Sequence, residues 1–118
     1  MDHNIHTYIA PGRRAHLVGI GGVSMSPLAE VLHGAGMVIT GSDMREGTAV
    51  AHLRSLGIPV AIGHREENVG DAELVIRTAA VHDSNPEIAA ARARGIPVFE
   101  RAQAWGAIMK GYQNALCI

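Results

Sequence analysis

Hydrophobic positions along the chain fall into short apolar runs separated by stretches of helical periodicity. Three times a helix-like stretch ends in glycine and an apolar, β-rich run follows: Leu32 to Ile39 through Gly34 and Gly36, Leu56 to Ile62 through Gly57, and Arg94 to Phe99 through Gly95. Glycine just past a helix end takes the left-handed conformation that other residues resist. The apolar runs read as strands buried on both faces, and such strands are parallel. Strands alternating with helices predict α/β architecture: a Rossmann-like, doubly wound parallel sheet of about five strands with helices on both faces.

The pattern predicts a first strand over Ala15 to Ile20 and a helix beginning near Ser24 to Pro27, with Leu28, Val31, Leu32 and Ala35 as an i, i+3, i+4, i+7 stripe. A second strand over Met37 to Thr40 leads to a helix with Thr48 as N-cap and Val50, Leu53 and Leu56 on one side. Val60 to Ile62, Glu73 to Thr78 and Val98 to Phe99 read as further strands, with a turn or short helix at Arg65 to Val69. Asn85-Pro86-Glu87 combines an N-cap, a proline at N1 and an acid in the first turn. The last helix carries Trp105, Ile108, Met109 and Tyr112 at helical spacing. Ala115 to Ile118 reads as one more strand with no turn beyond it, so the chain is expected to break off before a further domain.

Composition narrows this picture more than it changes it. The chain has 118 residues, 47% hydrophobic and 18% charged, which suits one globular domain. Residues 1–12 are expected to be a flexible lead and residues 13–118 the domain. A net charge of -1 offers no basic face for nucleic acid. The single cysteine, Cys117, excludes an intrachain disulfide and a Cys-x-x-Cys site. Asp2 and two histidines interrupt the first ten residues, where a signal peptide would be apolar, and no stretch near the front is long enough to span a bilayer. No nucleic acid and no membrane partner is therefore expected, and the cytoplasm is the expected compartment. The lone lysine, Lys110, is followed by Gly111, so the Gly-Lys-Ser/Thr step of a triphosphate-binding loop is missing.

The main candidate for chemistry is Gly19-Ile20-Gly21-Gly22-Val23-Ser24-Met25-Ser26, which follows a predicted strand and opens a helix. Gly19 permits a tight turn, and Gly21 and Gly22 let backbone amides approach a diphosphate. The helix N-terminus behind them supplies unpaired N–H groups and partial positive charge. Ser24 stands where a dinucleotide fingerprint has its third glycine. Asp43, in Gly41-Ser42-Asp43, sits at the end of the second strand about twenty residues past the loop, where an acid holds ribose hydroxyls. The same residues equally suit an Asx or Ser turn. His64 follows Gly63 just past the third strand, at the sheet edge where open α/β folds bind ligands, although the pattern alone also fits a solvated loop histidine. Thr78, Ala79, Ala80 and Val81 occupy the matching end of the fourth strand and leave room for a ligand. His16, His33, His52 and His82 read as surface or element-edge residues, and His3 and His6 as part of the lead.

His16-Leu17-Val18-Gly19-Ile20-Gly21-Gly22-Val23-Ser24-Met25-Ser26, Ala29-Glu30-Val31-Leu32, Gly41-Ser42-Asp43, Gly63-His64-x-x-x-Asn68-Val69, Asn85-Pro86-Glu87-Ile88 and Arg94-Gly95-Ile96-Pro97-Val98 together resemble the amino-terminal domain of the Mur ligases. Within that family the branch joining L-alanine to UDP-N-acetylmuramate matches best, and the muropeptide-recycling branch matches less well at the glycine loop. The resemblance runs from about residue 13 to the end. It implies a domain that binds the UDP part of UDP-N-acetylmuramate, inactive alone, in a bacterial cytoplasmic ligase of peptidoglycan synthesis. Two further domains, with ATP and magnesium, would complete the enzyme. There ATP phosphorylates the muramate carboxylate, and the amine of L-alanine attacks the acyl phosphate. The resemblance also implies that Gly21 to Met25 face the diphosphate, Ser42 and Asp43 the uridine, His64 the phosphate or ribose, and Thr78 to Val81 the uracil. Arg101 matches a recurrent family arginine, whereas Ser24, Pro27 and Gln103 depart from the pattern. A nicotinamide-dinucleotide module of an oxidoreductase is the competing reading. It accounts for the loop and Asp43 but not for the His64, Asn68 and Asn85-Pro86-Glu87 matches.

Overall fold

The computed structural model describes residues 8–116 except Ala79, with the side chains of residues 109–116 left aside. Five strands, β1 (Arg14–Val18), β2 (Val38–Asp43), β3 (Val60–Ile62), β4 (Leu74–Arg77) and β5 (Val98–Glu100), form one sheet in the order β3-β2-β1-β4-β5. Every strand pair is parallel. The order reverses beside β1, so the carboxyl ends of β1, β2 and β4 surround the crevice where such sheets bind ligands.

Helices α1 (Met25–Gly34), α2 (Thr48–Ser55) and α4 (Arg101–Leu116) cover one face, and α3 (Pro86–Ala93) with a 3-10 turn (Glu66–Val69) covers the other. The first face buries Leu17, Ile39 and Ile76 of the sheet against Leu28 and Leu32 of α1, Leu53 of α2 and Ala104 of α4. The second buries Val18 and Val75 against Val69, Ile88 and Ala91. Both layers of the doubly wound prediction are therefore present.

The repeated glycine signal has the expected cause. Gly36, Gly57 and Gly95, just beyond α1, α2 and α3, have φ of 94°, 92° and 73°. Each closes its helix before the chain turns into the next strand.

Several boundaries differ from expectation. β2 extends to Asp43, because Gly41 and Ser42 pair with both β1 and β3. The N-cap of α2 is Gly47, with no side-chain bond, and Thr48 is already helical. The buried stripe of α1 is Met25, Leu28, Ala29 and Leu32; Val31 is only half-buried and Ala35 is exposed. In α4 the alanines Ala104 and Ala107 are the buried residues, with Trp105 and Ile108 partly buried beside them; the side chains of Met109 and Tyr112 lie outside the described residues. The strand expected at Ala115 to Ile118 is corrected in part. Ala115 and Leu116 continue α4, in a stretch free of proline, and Cys117 and Ile118 lie outside the described residues.

Tyr8 and Ile9 pack on the core, with the Tyr8 ring 5.8 Å from that of Phe99, and Gly12 N donates to Gly36 O at 2.9 Å. His3 and His6 lie outside the described residues. No helix among the described residues is long and apolar enough to cross a membrane.

The start of α3 matches its sequence signal. Asn85 Oδ1 accepts from Glu87 N at 2.9 Å, with Pro86 at the first helical position. Asn85→Ala is expected to lower stability by about 1 kcal/mol, read as a shift of the urea midpoint. An unmoved midpoint would remove the cap from the account.

Candidate functional site

The carboxyl ends of β1, β2 and β4 open onto a cleft of about 550 Å³. Gly19, Gly22, Asp43, His64, Thr78, Ala80 and Val81, all expected at the site, line it together. Ala79 lies outside the described residues. Met44, His82, Ser84 and Asn85 also line it, and neighbouring positions in the sequence were the only signal for them.

The glycine loop is held by short-range bonds. Gly19 N and Ile20 N both donate to Ser42 O, at 2.8 and 3.0 Å, which ties the end of β1 to β2. Gly21 N donates to Asp43 Oδ2 at 2.8 Å, and a Cβ at Gly21 would stand 2.8 Å from that same oxygen. A side chain there would have to push the Asp43 carboxylate away from the loop amide it holds. Asp43 Oδ1 meanwhile accepts from Met44 N at 2.8 Å and Arg45 N at 3.4 Å. Asp43 thus makes the turn weighed from the sequence and also staples the loop to β2.

The N–H groups of Val23, Ser24 and Met25 make no hydrogen bond among the described residues. They are the free donors at the start of α1, where the helix dipole adds positive potential. Ser24 makes no side-chain cap bond, and its carbonyl accepts from Trp105 Nε1 of α4 at 3.3 Å. Pro27, in the first turn, costs no bond of its own. The Val23 side chain is 96% exposed, whereas that of Met25 is buried in the core, so Met25 offers the site its backbone only.

Beneath the cleft lies a polar cluster that the sequence reading missed. Glu87, the first-turn acid of α3, is fully buried. Its Oε1 accepts from His16 Nε2 at 2.5 Å and Ser42 Oγ at 2.6 Å. Its Oε2 accepts from Asn68 Nδ2 at 2.9 Å and Arg65 N at 3.0 Å, with His64 Nδ1 at 3.3 Å. Burial pushes the carboxyl up, but the hydrogen bonds from His16, Ser42 and Asn68 and the charge of His16 outweigh it and hold the value down at about 2. His16 is 1% exposed, not the edge residue expected, and its Nδ1 lies 2.8 Å from Thr40 Oγ1. The available signal was a polar residue inside an apolar strand run. Ser42 is itself fully buried, so its hydroxyl meets Glu87 and His64 but not the solvent of the cleft.

On the far wall, Val81 and Asp83 are pinned by Arg77. Its Nη1 donates to Val81 O at 3.4 Å and to Asp83, and its Nε donates to Glu100 Oε2 at 3.0 Å. Arg101, at the first position of α4, makes no bond that ties it to the cleft among the described residues. No group of three or more His, Cys, Asp or Glu among the described residues could hold a metal ion.

A loop of free amides at a switch point, with a carboxylate and an imidazole at its rim, suits a phosphorylated ligand with hydroxyl groups. The sequence profile of the Mur ligase family, catalytic domain, matches residues 14–113. The UDP-N-acetylmuramate–L-alanine ligase of Rhodospirillum rubrum is 52% identical over 95 residues, 80% of this chain and 20% of that protein. The same-named ligase of Acetivibrio thermocellus is 45% identical over 106 residues, 90% of this chain and 23% of that protein. The crystal structure of the UDP-N-acetylmuramate-alanine ligase MurC from Thermotoga maritima superposes with a TM-score of 0.80 at 40% identity, covering 82% of this chain and 23% of that one. The chain spans about a fifth of the length of the curated relatives it matches.

Proposed function

The chain belongs to the Mur ligase family, and from that premise we propose that it is the nucleotide-binding domain of a bacterial, cytoplasmic UDP-N-acetylmuramate–L-alanine ligase. The observation that carries this reading is the row of free N–H groups at Val23, Ser24 and Met25, which opens beside the cleft. The diphosphate of UDP-N-acetylmuramate accepts from these amides and gains from the helix dipole behind them. Asp43 and His64 stand at the ribose, and Thr78 to Val81 border the uracil. Ser42 supports this side from below.

The lone lysine precedes Gly111, and no Gly-Lys-Ser/Thr step occurs. In this proposal ATP, magnesium and L-alanine are handled by other domains of the ligase. This domain holds the nucleotide end so that the muramate carboxylate projects toward them.

Titration of the chain with UDP-N-acetylmuramate, followed by amide NMR, tests the proposal. Shifts confined to the Gly19–Met25 loop, Asp43 and His64 are expected at millimolar ligand. A silent spectrum would overturn it, and a response to NAD but not to UDP would favour an oxidoreductase module. Asp43→Ala removes the carboxylate that meets both loop and ligand. It is expected to weaken UDP binding about tenfold, the scale of one good hydrogen bond; unchanged affinity would take Asp43 out of the site.

A further inference from the structure

We propose that Ser42 and Glu87 are positioning residues that keep the proton of His64 on Nδ1, so that Nε2 is the nitrogen presented to the ligand. This rests on the proposed UDP site. It adds residues that do not touch ligand themselves and assigns the atom of His64 that does.

The direction of each bond follows from a count of protons. Glu87 is ionised and can only accept. Ser42 has one hydroxyl proton and donates it to Glu87 Oε1 at 2.6 Å. Its oxygen is then an acceptor, 3.0 Å from His64 Nδ1. The other neighbour of Nδ1, Glu87 Oε2 at 3.3 Å, is an acceptor as well. A nitrogen facing two acceptors must carry the hydrogen, so Nδ1–H donates inward. The imidazole lines the cleft with its side chain 13% exposed. With Nδ1 engaged beneath, Nε2 is the nitrogen left for the cleft. A neutral ring offers a lone pair there, which suits the hydroxyl hydrogen of a ribose diol.

The remaining contacts make the arrangement rigid. Asn68 Nδ2 bridges Gly63 O and Glu87 Oε2, both at 2.9 Å, so the residue before His64 is tied to the same carboxylate. Arg65 N, just after His64, is tied to it too. His16 locks the other oxygen of Glu87. Two strands and a turn thus converge on the one carboxylate that, with Ser42, faces the imidazole. Second partners of this kind fix the tautomer and orientation of a functional histidine.

The test uses imidazole nitrogen NMR together with UDP titration. Wild type is expected to show His64 as the Nδ1–H tautomer. Ser42→Ala leaves Glu87 with His16, Asn68 and Arg65 and so keeps the fold. With Glu87 Oε2 then the one acceptor left facing Nδ1, it is expected to shift the His64 Nδ1–H signals and to weaken UDP binding about fivefold. In a His64→Ala background, Ser42→Ala should have no further effect on affinity, because Ser42 acts through His64. An Nε2–H signature in wild type, or signals and affinity both unmoved by Ser42→Ala, would overturn the proposal. So would an equal loss of affinity with and without His64. If wild type binds no UDP, the proposed function falls, and the tautomer signals still decide whether Ser42 and Glu87 set the ring.

Discussion

A Glu87→Gln chain is expected to lose about 3 kcal/mol of folding stability at neutral pH, and with it most of the acid limb of its stability profile. Glu87 is fully buried and takes donors from β1, β2, the 3-10 turn and the residue after His64. Glutamine keeps the volume but turns an N–H2 toward groups that are themselves donors, so buried partners go unpaired. The pH dependence has a definite sign. The folded carboxyl, at about 2, lies below its ordinary 4.5. Its contribution is therefore complete above the unfolded value and is lost as pH falls toward the folded one. A shift of that size corresponds to about 3 kcal/mol, roughly half of it gone by about pH 3. Urea unfolding at pH 7 and pH 3 measures this. The wild-type and Glu87→Gln midpoints should lie far apart at pH 7 and draw together at pH 3. Equal separation at both values would mean that the ionised carboxylate is not what holds the cluster.

The same cluster marks the limit of what could be read from residues alone. The sheet was legible because its signals are local: glycine closes each helix within a few residues, and a run of apolar side chains follows. The glycine loop was legible for the same reason, since Gly19 to Met25 make their turn and their free donors within one stretch of chain. Glu87 looked like an ordinary first-turn acid beside Asn85 and Pro86, and it is one. Its second role depends on His16, 71 residues earlier, and on Ser42, 45 residues earlier. Those three come together only when β1 and β2 pair and α3 folds across them. The stripe on α1 was misplaced for a related reason: periodicity gives an apolar face, but the sheet decides which edge of it is buried. Asp43 was legible as a turn or a ligand contact, and pairing of β2 with β1 brings it back to Gly21 as a staple.

Gly41→Ala is expected to destabilise the chain by about 1–3 kcal/mol and to disturb the glycine loop at the same time. Gly41 lies mid-strand in β2, opposite Leu17 of β1 and Val60 of β3, where an alanine would ordinarily be harmless. A Cβ at this position, however, would stand 2.4 Å from Ile20 Cδ1, 2.7 Å from its Cβ and 2.9 Å from its Cγ2. The first of these atoms could rotate away. The Cβ of Ile20 cannot move without its backbone, and that backbone leads directly into Gly21 and the free amides beyond. Ile20 is fully buried, so there is no solvent to retreat into. The strain therefore divides between the core and the loop. Thermal unfolding reads the first part, and UDP titration, with an expected severalfold loss, reads the second. Ile20→Ala in the same chain removes two of the three close atoms and leaves the third. The double variant should then be less destabilised than the two single losses together, with a coupling of about 0.5–1 kcal/mol. Strict additivity would mean that the cost of Gly41→Ala arises away from Ile20, and an unchanged UDP affinity would mean that the loop absorbs the displacement without moving its donors.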